Sequence, residues 1–176
     1  MNTINNNYLI REATSEEFSK IGKLMINVYS QLEGFPGPKE SPDYYRKLKN
    51  VGQLTNDPKV KLLVAVSQTG IIGGCVVYFG DMAYYGSGGA ATKEKNAAGF
   101  RLLAVSPKTR GEGIGKLLTK ACIGLAKDQN QEQVVIHSTK AMQIAWTMYE
   151  KLGFKRAEDL DFNKGELEIY GFRLKL

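Results

Sequence analysis

Leu102-Leu103-Ala104-Val105-Ser106-Pro107-Lys108-Thr109-Arg110-Gly111-Glu112-Gly113-Ile114-Gly115-Lys116-Leu117-Leu118 is the stretch whose reading decides the fold. Four apolar residues, Leu102 to Val105, end a strand, and glycines at 111, 113 and 115 make a tight turn. Ile114, Leu117, Leu118, Ala121, Cys122 and Leu125 then recur at i, i+3, i+4, i+7, i+8 and i+11, the pattern of a helix with one buried face. The helix therefore begins inside the glycines. A helix start leaves backbone N–H groups unpaired and carries partial positive charge, and glycine lets an anion approach that backbone with no Cβ in the way. The segment predicts an anion cradle suited to a pyrophosphate.

Spacing separates the designs that share this logic. A Walker A loop needs four residues between its glycines and then Lys-Ser or Lys-Thr, whereas Gly111 and Gly115 enclose three and Lys116 is followed by Leu117. A dinucleotide fingerprint counted from Gly111 needs a third glycine where Lys116 stands. What remains is Arg-x-x-Gly-x-Gly, Arg110 to Gly115, after a strand that ends Val-x-Pro. One helix and one strand later comes Ala145-Trp146-Thr147-Met148-Tyr149-Glu150-Lys151-Leu152-Gly153-Phe154. Together the two segments resemble the acyl-CoA-binding half of the GNAT N-acetyltransferase superfamily, over roughly Gly99 to Ala157. Met142, three before Ala145, stands where that family often has Asn.

Outward from this pair, Tyr8 to Glu12 reads as a strand, and Ser15 caps a helix carrying Phe18, Ile21, Leu24, Met25 and Val28. Gly34-Phe35-Pro36-Gly37-Pro38 breaks it, and Ser41-Pro42 starts a second helix with Tyr44, Tyr45 and Leu48. Val60 to Val66 and Ile71 to Phe79 form a hairpin through Gln68-Thr69-Gly70. Gly80 to Asn96 reads as a long connection or an irregular hairpin, and such loops often shape binding sites. Then follow strand Gly99 to Val105, helix Gly113 to Lys127, strand Gln133 to His137, helix Ala141 to Leu152, strand Phe154 to Ala157 and strand Glu166 to Leu174. The alternation of strand and helix in the second half predicts parallel pairing, and the hairpin antiparallel pairing, so the sheet is mixed. The expectation is a mixed α/β (α+β) fold of about seven strands and about four helices, one acyl-CoA N-acyltransferase domain over residues 1–176.

The resemblance implies a splay between the fourth and fifth strands, Gly99 to Val105 and Gln133 to His137. The pantetheine arm of acetyl-CoA would pair with the first like an added strand. It implies cofactor contacts from Leu103, Ala104, Val105, Arg110, Gly111, Glu112, Gly113, Ile114, Gly115, Lys116 and Met142. An N–H near Leu103 to Val105 would polarise the thioester carbonyl. Tyr149 matches the family's tyrosine and is the candidate proton donor to the departing thiolate, although it also falls on the helix's apolar stripe. Candidates for a general base are Glu33, beside the Gly-Pro break, and His137, the chain's only histidine, at a strand end. Tyr84, Tyr85, Phe35 and Tyr44 are candidates for the acceptor pocket, or for core cover.

Composition bounds the rest. The 24 basic and 18 acidic residues give a charge of +6, but no basic run appears. This favours a phosphorylated small molecule over nucleic acid. Cys75 and Cys122 lie in apolar stretches with no metal-ligand spacing, so no metal is expected. The longest apolar run, Ile71 to Phe79, is far too short to cross a bilayer, which makes a cytoplasmic protein the expectation. The reading is an acetyl-CoA-dependent N-acetyltransferase acting by direct attack of a primary amine, on a small molecule or a peptide, in a ternary complex. The alternative is a non-catalytic acyl-CoA sensor. As an edge strand, Glu166 to Leu174 would offer a second copy a pairing surface for a homodimer.

Overall fold

The computed structural model describes residues 3–5, by backbone alone, and 7–176. Its strands are β1 Thr3–Asn5, β2 Tyr8–Glu12, β3 Val60–Ser67, β4 Ile72–Phe79, β5 Ala97–Val105, β6 Gln133–Ser138, β7 Lys155–Arg156, β8 Phe162–Lys164 and β9 Leu167–Lys175. The α-helices among the described residues are α1 Phe18–Ser30, α2 Pro42–Lys49, α3 Ile114–Asp128 and α4 Gln143–Lys151. All the strands join one sheet in the order β1-β2-β3-β4-β5-β6-β9-β7, with β8 added on β9. The mixed fold agrees with the sequence reading, and the two strands beyond the expected seven, β1 and β8, are three residues each.

Two expectations are corrected here. Among the described residues only β5 and β6 run parallel, because β9 inserts antiparallel between β6 and β7 where strand-helix alternation predicted a further parallel pair. For the same reason the C-terminal strand is not an edge. β6 pairs along one side of β9, while β8 and β7 pair with Leu167–Ile169 and Phe172–Arg173 on the other. The backbone groups that would have received a second copy already have partners.

The sheet is covered on both faces, which is why its central strands read as continuous apolar runs. Val60, Leu62, Val64 and Val66 of β3 join Ile21, Met25 and Tyr29 of α1 and Leu48 of α2 in one core, whereas Leu63 and Ala65 join Ile114, Leu118 and Cys122 of α3 in the other. Alternate side chains of one strand thus feed two layers. The start of α3 sits unusually close to β4. A Cβ on Gly73 or Gly74 would lie 2.6 or 2.7 Å from the Ile114 side chain. Just before it, the Ser106 N–H and the Thr109 hydroxyl both donate to the Gly73 carbonyl, each at 2.9 Å. The glycine-rich turn is therefore pinned to the sheet at its base.

β5 and β6 pair only from Ala97–Gly99 to Gln133–Val135 and then separate. On its other side β5 changes register against β4, with Val77 opposite Arg101 but Cys75 opposite Ala104, so one extra residue is accommodated. Leu102 sits in that bulge at φ 59°, a left-handed conformation that costs a non-glycine about 1–2 kcal/mol. The bulge turns β5 away from β6 and opens the sheet where the sequence reading placed the splay.

Candidate active site

The opened sheet holds a cavity of about 820 Å³, reaching from the α3 N-terminus, past α4, to the α1–α2 connection and the β8–β9 hairpin. At one end Gly113 caps α3 at φ 77°, and Gly111 has φ 84°. A Cβ on either would meet no atom within 4 Å, so neither is glycine for want of space. Both are left-handed positions that admit glycine cheaply. The first backbone bond of the helix runs from Leu117 N–H to the Gly113 carbonyl at 3.0 Å, which leaves the N–H groups of Gly113, Ile114, Gly115 and Lys116 without a backbone acceptor among the described residues. The Glu112 carboxylate does not enter this cradle. It accepts a 2.7 Å hydrogen bond from the Tyr8 hydroxyl, and that bond is the main reason the Tyr8 phenol is held above its usual pKa.

Of the residues expected at the cofactor, Leu103, Val105, Arg110, Gly111, Gly113, Ile114, Gly115, Lys116 and Met142 line the cavity. Ala104 and Glu112 do not. Ala104 is 1% exposed and packs into the core beneath the strand, and Glu112 is turned back to Tyr8. Met142 caps α4, its N–H bonded to the Thr139 carbonyl at 3.0 Å. Beyond Gly99 the β6-facing backbone of β5 has no strand partner, and the Leu103 carbonyl accepts from the Tyr29 hydroxyl at 3.0 Å.

Tyr149 projects from α4 against Phe100 and Phe154, with ring centroids 5.8 Å from each. Among the described residues nothing hydrogen-bonds its hydroxyl, which belongs to the cavity wall, and burial pushes its pKa well above the phenol value. It is thus a neutral O–H at any physiological pH. The two base candidates fare differently. Glu33 is exposed and lies outside the cavity lining. His137 lines the cavity, but its Nε2 lies 2.9 Å from the Leu160 carbonyl and its Nδ1 3.1 Å from the Tyr85 hydroxyl. A carbonyl only accepts, so Nε2 carries the proton and Nδ1 takes the tyrosine's. Burial lowers the pKa of this ring, which stays neutral with both nitrogens engaged.

At the far end, Tyr29, Phe35 and Tyr44 form an aromatic wall, with centroids 5.5 to 6.0 Å apart. Tyr85 faces the cavity as expected, but Tyr84 points outward, 49% exposed and beside Asp57. Sequence reasoning missed Arg101, Ser138, Thr139, Phe162 and Lys164, all on the lining. One signal was available, since Arg101 is the single charge inside Ala97–Val105.

The profile described as "Acetyltransferase (GNAT) domain" matches residues 53–176. The chain belongs to this family. Over 58 residues it is 43% identical to mouse (Mus musculus) N-acetyltransferase 8F1, a match covering 33% of this chain and 26% of that protein. The chain spans about a quarter of the length of the curated relatives it matches. A Staphylococcus aureus acetyltransferase of the GNAT family superposes with a TM-score of 0.72 at 16% identity, over 94% of this chain and 97% of the other. A Salmonella typhimurium protein described as an acetyltransferase, solved with its cofactor acetyl-CoA, superposes at 0.66 and 15% identity, over 97% and 94%.

Proposed function

We propose that residues 1–176 form one acyl-CoA N-acyltransferase domain that moves an acetyl group from acetyl-CoA to a primary amine, by direct attack with both substrates in the cavity. The observation that carries this reading is that a single cavity joins the unpaired N–H groups of Gly113 to Lys116, the open edge of β5 and the Tyr149 side chain. The left-handed glycines and bare helix start fit a pyrophosphate, with Arg110 and Lys116 adding charge. When bound, acetyl-CoA supplies the acyl group as an activated thioester.

The chain's own residues do the rest. Backbone N–H groups at the α3 start would hold the phosphates, and the open β5 edge would orient the pantetheine arm. Tyr149, kept protonated by burial, donates its proton to the departing sulfur. Cys75 and Cys122 are buried in the two cores, away from the lining, which supports direct transfer over an acyl-enzyme. No carboxylate lines the cavity among the described residues, so the amine loses its proton to water. Two free thiols are consistent with a cytoplasmic setting.

The test is amine-dependent release of CoA thiol across a broad acceptor panel, with calorimetry of acetyl-CoA binding to the native chain and to Gly113→Trp. Micromolar binding that the still-folded Gly113→Trp loses is the expected result. Tyr149→Phe keeps the ring contacts, so it should fold normally and lose about 10²-fold or more in kcat. Binding without thiol release for any amine would make the chain a sensor. An undiminished kcat in Tyr149→Phe would remove the tyrosine's role.

A further inference from the structure

The half-buried arginines of this chain are Arg11, Arg101, Arg156 and Arg173. Three of them hold carboxylates, namely Glu17 at 2.8 Å, Asp161 at 2.6 Å, and Asp159 and Glu94 at 2.6 and 2.9 Å. Arg101 has no carboxylate partner among the described residues. One of its N–H groups donates to the Tyr85 carbonyl at 2.7 Å, and the guanidinium carbon lies 5.5 Å from the centre of the Tyr85 ring. Among the described residues nothing accepts from the rest of its fork of donors. A guanidinium taken partly out of water and left without a counter-charge is costly, and chains retain such a group where a ligand completes it.

Its position says which ligand. Arg101 lies on the cavity lining at the end away from the phosphate cradle, among Tyr29, Tyr44, Tyr85 and His137, where burial raises the three phenols and lowers the imidazole, and its charge acts on all four as a smaller effect. Lys164 stands across the mouth, its Nζ 5.7 Å from the centre of the Tyr44 ring. The lining has no Asp or Glu among the described residues, so its charge is positive at both ends. The phosphates account for one end only. At the other, the hydroxyls of Ser138 and Thr139 are buried, with residues 2% and 3% exposed, and have no hydrogen-bond partner among the described residues. A polyamine or a lysine-rich peptide would enter this field as a cation and find no counter-charge.

Resting on the acetyltransferase reading above, we propose that the acceptor is an amine that also carries a carboxylate, a free amino acid, and that Arg101 holds that carboxylate. The aromatic wall of Tyr29, Phe35 and Tyr44 receives the side chain.

The experiment compares matched acceptors that differ only in the carboxylate: L-phenylalanine with phenethylamine, L-leucine with 3-methylbutylamine, and L-serine with ethanolamine, alongside spermidine and a lysine peptide. Each is measured as kcat/KM for CoA release. For at least one pair the acid should be preferred by about 10–100-fold, the weight of a charge-assisted bidentate contact. Arg101→Gln should erase most of that ratio and Arg101→Lys should restore part of it, with acetyl-CoA affinity and thermal melting recorded on both variants. Amines, spermidine or peptide preferred over the acids, or a ratio that Arg101→Gln leaves unchanged in a folded protein, would overturn the assignment and leave the acetyltransferase reading standing. Tight acetyl-CoA binding with no acid accepted would overturn it too. Absence of acetyl-CoA binding in the native chain would instead bring down the reading on which it rests.

Discussion

The two glycines that flank Ile114 should respond in opposite directions to the same substitution, because one is required by its backbone and the other is not. Gly113 is at φ 77°, where an alanine costs about 1–2 kcal/mol through its Cβ alone, and there is no neighbouring atom within 4 Å to repay the loss. Gly115 is already within α3, and an added Cβ would sit 3.6 Å from Met148 Sδ and 3.6 Å from Val105 Cγ2, ordinary contact distances. There alanine removes backbone entropy from the unfolded chain and gains up to about 1 kcal/mol. For a chain of this size the shifts are about 2–4 °C per kcal/mol, so Gly113→Ala should melt several degrees lower and Gly115→Ala slightly higher. Differential scanning fluorimetry reads the sign, and calorimetry reads acetyl-CoA affinity, which should fall in Gly113→Ala because the methyl group stands before the unpaired N–H groups. Equal destabilisation by both substitutions would refute the left-handed cap, and with it the geometry assigned to the cradle.

Other consequences concern the frame around the site. Glu17 is held down to about 2, chiefly by its hydrogen bonds from Arg11, so its folded pKa lies below the unfolded one and its contribution is present above about pH 4.3 and lost as pH falls toward 2. Discounted for partial exposure this is about 1 kcal/mol, and Glu17→Gln should flatten the loss of stability between pH 5 and 3 by about that amount in urea titrations. An unchanged pH profile in Glu17→Gln would exclude the ion pair as the cause. Cys75 is fully buried and its thiol is pushed up to about 12, so at pH 8 only about one molecule in ten thousand carries the thiolate and native protein should react with a disulfide reagent only on unfolding. Rapid native labelling would mean that this core opens. Tyr29→Phe keeps its stacking on Phe35 and Tyr44 but strips the Leu103 carbonyl of its 3.0 Å donor, and should cost about 1 kcal/mol in a thermal melt. No change in that melt would mean that water satisfies the carbonyl equally well.

The cradle was legible because everything that makes it is local. A strand end, three glycines and a helix with one apolar stripe occupy Leu102 to Leu125, and helix-terminus physics turns that order into an anion site without reference to the rest of the chain. The other end of the cavity was legible only in part: Tyr44, Tyr85 and His137 stood out as candidates, but Tyr29, Arg101 and Lys164 did not, because the six come from five elements and one connection that meet only once the sheet has opened. The topology misled in one place, since β9 lies beside β6 only after the chain has passed through α4 and two short strands, and no local pattern at Leu167–Lys175 distinguishes an inserted strand from an edge. Even the splay is half local. The bulge at Leu102 draws no glycine, so the sequence shows an ordinary apolar run where the backbone is left-handed. What stabilises that conformation is non-local, namely the Ala104–Cys75 pair below it and the Tyr29 hydroxyl on the Leu103 carbonyl beside it. Strain at one residue, held by two distant partners, thus keeps open the gap through which Arg101 and Tyr149 reach the same cavity.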